Sequence, residues 1–226
     1  MDSVRVGVHS HGQGLETTLA QIANEELGIN PDKIKVVHGD TAYTPYSTGT
    51  WGSRCIVMAG GAVATASASL GERICKIAAH LMQAKVDDVV LIDDVDPRGL
   101  EATEGYKTVK DTGTFSYACH AVTVSVDLDL GDVQLLDYVI VEDAGTMINP
   151  MVVDGQVYGG AVQGIGTALF EEMAFDSAGQ PQASTLADYH LPVCADIPPI
   201  RIIHMETPSP LSRYGQKGIG ESGATR

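Results

Sequence analysis

Gly215-Gln-Lys-Gly-Ile-Gly-Glu-Ser-Gly223 decides how this chain is read. Within it Gly218, Gly220 and Gly223 spell G-x-G-x-x-G, the fingerprint of a dinucleotide-binding strand–turn–helix unit. That fingerprint requires a strand before it, a helix opening on it and an acidic residue about 20 positions on. Only Ala224, Thr225 and Arg226 follow, so no such helix fits and the doubly wound reading is rejected. What remains is a loop in which four glycines frame one lysine, Lys217, and one carboxylate, Glu221. Glycine serves where the backbone takes φ > 0 or passes close to a ligand. A carboxylate fixed there, with backbone N–H groups and the Lys217 ammonium near enough to keep it ionised, is a candidate acid–base residue. A plain surface turn is the competing reading of the same letters.

Moving back from that loop, Thr207-Pro-Ser-Pro210 is an extended link and Pro199 to Met205 a strand. Asn149-Pro150 precedes a helix that starts near Met151 and carries Gly155, Gly159, Gly160, Gly164 and Gly166. Each glycine weakens a helix by about 1 kcal/mol relative to alanine, so this spacing implies close approach of another backbone or of a ligand. Gln163 then stands as a polar residue on a glycine-rich surface. Before the helix, the alternation Val122, Val124, Val126, Leu128, a turn at Leu130-Gly131-Asp132, and Val133, Leu135, Tyr138 to Val141 predict an antiparallel hairpin.

The polar stretch from Asp87 to Thr112 offers short strand candidates (Val89–Ile92, Lys107–Lys110) and a turn at Asp96-Pro97-Arg98-Gly99. A boundary there divides the chain into two cofactor-binding α/β subdomains, 1–98 and 99–226. Upstream, Ile56 to Met82 reads as one long helix or two, and its Gly60-Gly61 pair implies tight packing on a neighbour. A long polar loop precedes it, from Gly39-Asp40-Thr41 to Trp51-Gly52-Ser53-Arg54. At the start, Val4, Val6 and Val8 form a strand running into His9-Ser10-His11, Gly12-Gln13-Gly14 breaks it, Leu15 to Leu27 is a helix stopped by Gly28, and Ile34 to His38 is a second strand. Gln13 thus sits where a strand ends and a helix begins, a place rich in free N–H groups. The whole reads as an α+β fold, two packed subdomains of helices against mixed sheets.

The 226 residues are 44% hydrophobic and 19% charged, a globular composition. A formal charge of −15 argues against nucleic acid or an anionic membrane surface as partner. Cys55, Cys75, Cys119 and Cys194 are scattered without a C-x-x-C pair, so neither an iron–sulfur cluster nor a zinc ribbon follows from spacing, and reduced cytoplasmic thiols are expected. No uninterrupted apolar run approaches the roughly 18 residues of a membrane span. No His, Cys and carboxylate set recurs at metal-ligand spacing, so no protein metal ligand is expected.

Taken together, HGQGLETTLAQIANEELGI, HGDT with GTWGSR, EDAGTMINP, GAVQGIGTALFEE and GQKGIGESG, in this order, resemble the C-terminal part of the molybdenum-binding large subunit of the xanthine oxidase/aldehyde oxidoreductase family, with the aerobic carbon monoxide dehydrogenase branch nearest. The resemblance runs over nearly the whole chain. It implies a molybdenum cofactor-binding domain for molybdopterin, plain or as its cytosine dinucleotide. It implies that Gly12, Gln13 and Gly14 contact the pterin near the metal, and that Gly52, Ser53, Arg54 and Cys55 bind the pterin and its phosphate. Gln163 then faces an oxygen ligand of molybdenum, Lys217 and Gly218 belong to the cofactor-binding loop, and Glu221 is the general base of a hydroxylation. It further implies that the cofactor is held jointly with an upstream half of the large subunit that is absent here, that iron–sulfur and FAD subunits or domains carry electrons away, and that a small molecule is oxidised. Leu211-Ser-Arg-Tyr214 departs from the family's proline-containing approach to the glycine loop. The competing expectation is a non-catalytic scaffold domain derived from such an enzyme, binding no cofactor alone.

Overall fold

The computed structural model describes residues 2–90, 100–108 and 113–224. A first unit is built from β1 (Asp2–Arg5), α1 (Leu15–Leu27) and β2 (Ile34–Val37), the two strands pairing in parallel with Val4 opposite Val36. Leu15, Leu19, Ile22, Ala23 and Leu27 fall on one stripe of α1 and are all buried, which is why this segment is helical and which way it faces. Gly28 ends it in the left-handed conformation, φ 69°, its N–H bonded to the Asn24 carbonyl at 2.7 Å.

Next comes α2 (Cys55–Met82), one continuous helix of 28 residues that packs along α1. Its Gly60-Gly61 pair survives mid-helix because there is no room for anything larger. A Cβ on Gly61 would lie 2.4 Å from the Tyr106 ring, and one on Gly60 would lie 3.0 Å from Ile22 Cδ1. Against the expectation from apolar runs, α2 is long and apolar enough to cross a membrane by length and mean hydropathy. In this fold it buries Ala59, Val63 and Ala64 in the core formed with Leu15, Leu19 and Ile22, and Glu72, Arg73 and Lys76 lie on its second half. Val89, Val90, Lys107 and Thr108 are not in strands; the rest of both strand candidates, the turn at 96–99 and the boundary at 98/99 lie outside the described residues.

The second unit is the hairpin β3 (Tyr117–Val126) and β4 (Val133–Asp143), then α3 (Pro150–Leu169), then β5 (Ile200–Met205) returning parallel to β4. Tyr138 and Ile140 of β4 and Ile200 of β5 face Val153, Val157, Ala161 and Ile165 of α3 in a second buried cluster. Polar groups cross the same layer. His204 of β5 reaches Glu142 of β4 through Nδ1 at 2.6 Å and Asp154 of α3 through Nε2 at 2.7 Å.

Burial alone would push the His204 pKa down, but the two carboxylates outweigh it and hold the imidazole above its ordinary value. Burial pushes Glu142 up, against the pull of His204. In both cases the folded chain keeps a proton that the unfolded chain releases at lower pH. Stability from the His204 proton is therefore whole below about 6.5 and lost as pH rises through the folded value. Asp143 acts in the opposite sense: although burial works to raise it, bonds from Thr207, Lys217 and Gly145 hold it far below the usual carboxylate range, so its contribution is lost only on strong acidification. The denaturation midpoint should fall between about pH 6 and pH 9, and His204→Gln should lower it overall while flattening that slope, as read by urea titration across the range.

Candidate functional site

The starts of α1, α2 and α3 and the C-terminal loop meet at one cavity of about 560 Å³. From the first unit it takes Gly12, Gln13 and Leu15 at the head of α1 and Ser53, Cys55 and Ile56 at the head of α2; from the second, Asn149 and Val152 at the head of α3. The loop adds Gln216, Lys217, Ile219, Gly220 and Glu221.

Two of those helix starts have no side-chain cap. Gly14 precedes α1 in the left-handed conformation and offers no side chain, and Arg54 precedes α2 without a capping bond. An arginine is electrostatically the wrong residue for a helix N-terminus, which carries the positive end of the dipole. Only α3 is capped from its own sequence, by the Asn149 side chain accepting from the Val152 N–H at 3.1 Å. Two helix starts without a side-chain cap, both bordering one cavity, suit the anionic or polar parts of a ligand. Arg54 itself turns away: its guanidinium lies 4.1 Å over the Trp51 ring and donates to Thr48 and, at 3.5 Å, to the Gly49 carbonyl.

At the rim, Ser53 Oγ donates to Glu221 Oε2 at 2.9 Å, joining positions 168 residues apart. The two loops interlock around that bond. A Cβ on Gly218 would lie 2.2 Å from the Ser53 carbonyl oxygen. On the far side of the loop, a Cβ on Gly223 would lie 2.4 Å from the Val157 carbonyl oxygen of α3. Glycine at these two positions is a packing requirement.

Lys217 does something other than the sequence reading expected of it. Its ammonium is buried against Asp143 Oδ1 at 2.9 Å and lies 5.1 Å from the Tyr117 ring centroid, so the loop's only cation serves the end of β4. Its remaining link to the cavity is as a wall residue.

Of the residues singled out in the sequence, Gly12, Gln13, Gly52, Ser53, Cys55, Lys217 and Glu221 line this cavity. Gly14, Arg54 and Gly218 stand immediately beside lining residues without being among them. The Gln13 amide is engaged with its own loop, accepting from the His11 N–H and donating to the His9 carbonyl at 3.4 Å. Gln163 is not brought to the cavity and is exposed on α3. Gln156, on the same helix, lines it instead. The sequence reading also passed over Gln216, which is 1% exposed, accepts from the Tyr214 N–H at 2.9 Å and donates to the Ile56 carbonyl at 3.3 Å. Its position between Gly215 and Lys217 was the available signal.

Fold and site together define a mixed α/β cofactor-binding domain. The molybdopterin cofactor-binding domain signature matches residues 3–198, and the chain belongs to that family, within the molybdenum-binding subunits of the xanthine oxidase family. It is 37% identical to the nicotine 6-hydroxylase large subunit of Paenarthrobacter nicotinovorans, over 98% of this chain and 30% of that protein. To the carbon monoxide dehydrogenase large chain of Hydrogenophaga pseudoflava it is 34% identical, over 96% of this chain and 30% of that one. Its fold superposes on crystalline Cu,Mo-CO dehydrogenase with a TM-score of 0.87 at 31% identity, covering 98% of this chain and 31% of the other. For quinoline 2-oxidoreductase from Pseudomonas putida 86 the TM-score is 0.83 at 37% identity, with 98% and 32% covered. The chain thus spans 30–32% of the length of these relatives.

The interlock predicts the effect of a single methyl group. Gly218→Ala must separate two backbones, so it should destabilise the chain by about 1–3 kcal/mol and break the Ser53–Glu221 bond. Denaturant titration and a structure of the variant read both effects.

Proposed function

We propose that this chain is the base-bearing, cofactor-holding part of a molybdenum hydroxylase that oxidises an aldehyde, N-heterocycle or similar carbon centre with water-derived oxygen. The observation that carries the reading is the convergence, at one cavity, of two uncapped helix starts with a carboxylate fixed by a hydroxyl. The residues fit molybdopterin. Backbone N–H groups at the heads of α1 and α2 suit its phosphate, and the amides of Gln13, Gln156 and Gln216 offer polar contacts on the same walls. Among the described residues no group of three or more His, Cys, Asp or Glu is placed to hold a metal ion. When bound, the cofactor supplies the molybdenum centre that accepts the two electrons of the oxidation.

The chain's own contribution is proton handling and orientation. Glu221 is exposed at the cavity rim, with Oε2 held by Ser53 and Oε1 left to take a proton from the oxygen donor. The loops around Gly12-Gln13 and Gly52-Ser53 hold the cofactor against it. The cofactor is plain molybdopterin or its cytosine dinucleotide, shared with an upstream half of the large subunit, and electrons pass to iron–sulfur and FAD partners in a cytoplasmic assembly. The competing reading is that the isolated chain is a scaffold that binds no cofactor. Metal analysis and pterin fluorescence of the chain alone and co-expressed with an upstream partner separate the two: cofactor in neither preparation supports the scaffold.

In the assembled enzyme Glu221→Gln should lower kcat by roughly 10²- to 10⁴-fold with molybdenum content near that of the parent. Turnover retained in that variant would refute the assignment of Glu221 as base.

A further inference from the structure

We infer that Ser53 is a positioning residue for Glu221: its hydroxyl fixes one carboxylate oxygen and so decides which oxygen is presented to the cavity. This goes beyond phosphate binding by the Gly52–Cys55 loop and rests on the reading of Glu221 as base. Three observations carry it.

The first is the bond itself, 2.9 Å from Ser53 Oγ to Glu221 Oε2, at the rim of the cavity that both residues line. The second is the backbone. Ser53 takes φ 55°, in the left-handed region, where a side chain is disfavoured; its loop neighbours at φ 88° and φ 59° are Gly49 and Gly52. Glycine would fill position 53 without strain, so the serine is held there against local preference, and its hydroxyl is the group that makes a distant contact. The third is the space around it. Gly218 has no room for a Cβ against the Ser53 carbonyl, and a Cβ on Gly220 would come within 3.3 Å of Ser53 Oγ, so the loop that bears Glu221 is shaped on both sides to fit this residue.

Three polar groups close in sequence to Ser53 and Glu221 are engaged elsewhere. The Lys217 ammonium is on Asp143, and the Ser222 hydroxyl donates to the Ile219 carbonyl at 3.2 Å. The Arg54 guanidinium is over Trp51. A carboxylate on a glycine-rich loop without such a donor would sample several rotamers, and only some would face the reacting proton.

The test exploits the opposition between strain and hydroxyl. Ser53→Gly removes both; Ser53→Thr keeps the hydroxyl and adds a β-branched side chain where φ is positive, a true outlier. In the assembled holoenzyme, Ser53→Gly should melt at or above the parent temperature and carry the same molybdenum, yet lose about tenfold or more in kcat with KM little changed. Ser53→Thr should melt lower and recover most of that kcat. Crystal structures should show one Glu221 rotamer in the parent and in Ser53→Thr, and several in Ser53→Gly. A purely structural role for Ser53 predicts the reverse pairing, with turnover following melting temperature, and that result overturns the inference. Parent-like turnover in Ser53→Gly beside a dead Glu221→Gln overturns it too while leaving the base in place. Were Glu221→Gln active, the base reading would fall and the rotamers alone would decide: a single unchanged rotamer in Ser53→Gly counts against Ser53, scattered rotamers for it.

Discussion

The Lys217–Asp143 ion pair is what the site depends on. Both groups are buried, the side chains 7% and 0% exposed, and the bond is 2.9 Å. Burying two charges is unfavourable unless every remaining lone pair and proton finds a partner, and breaking such a pair by removing one side typically costs about 3–5 kcal/mol. Here Asp143 Oδ1 also accepts from the Gly145 N–H at 2.8 Å and the Thr207 N–H at 3.2 Å, which offsets part of that cost, while Oδ2 is buried without a hydrogen-bond partner among the described residues. The backbone repeats the attachment: the Lys217 N–H donates to the Ala144 carbonyl and the Thr146 N–H to the Gly215 carbonyl. Residues 215–217 are thereby lashed to the end of β4, so that Glu221, four residues beyond Lys217, arrives opposite a serine from the first unit.

The regular elements were plain in the sequence because short-range periodicity determines them. The leucine and isoleucine stripe of α1 and its glycine stop gave both ends of that helix, and alternating valines gave the β3–β4 hairpin. Where the sequence was ambiguous, long-range packing decided. Whether 56–82 was one helix or two turned on Gly60-Gly61, and the reason those glycines do not break α2 is a tyrosine ring some 45 residues away that needs the space. Nor could runs of letters show that α2 as a whole is apolar enough to match a membrane span, since its apolar residues are interleaved with small and polar ones.

For the site, glycine framing exposed the right loops but not the pairings between them. It drew attention to Gly12-Gln13, Gly52-Ser53 and Glu221, which do share a cavity. It did not tell Lys217 from a partner of Glu221, because Asp143 is 74 residues away and nothing local announces it. Gln163 shows a second limit. Positions 156 and 163 are two turns apart on nearly the same face of α3, so the helical pattern marks the face but not the height at which it meets the cavity. The Ser53–Glu221 bond was invisible for the same reason of distance.

Two parallel strands, β1 and β2, make up the whole of the first sheet among the described residues. So small a ribbon has almost no rigidity of its own in water. It is stiff here because α1 lies across it and α2 lies along α1, so the ribbon inherits its mechanical integrity from the helical layer above. Loosening at the distant glycine contact with Tyr106 would therefore be felt at the far end of β1, where the backbone turns into His9 and the loop that holds Gln13.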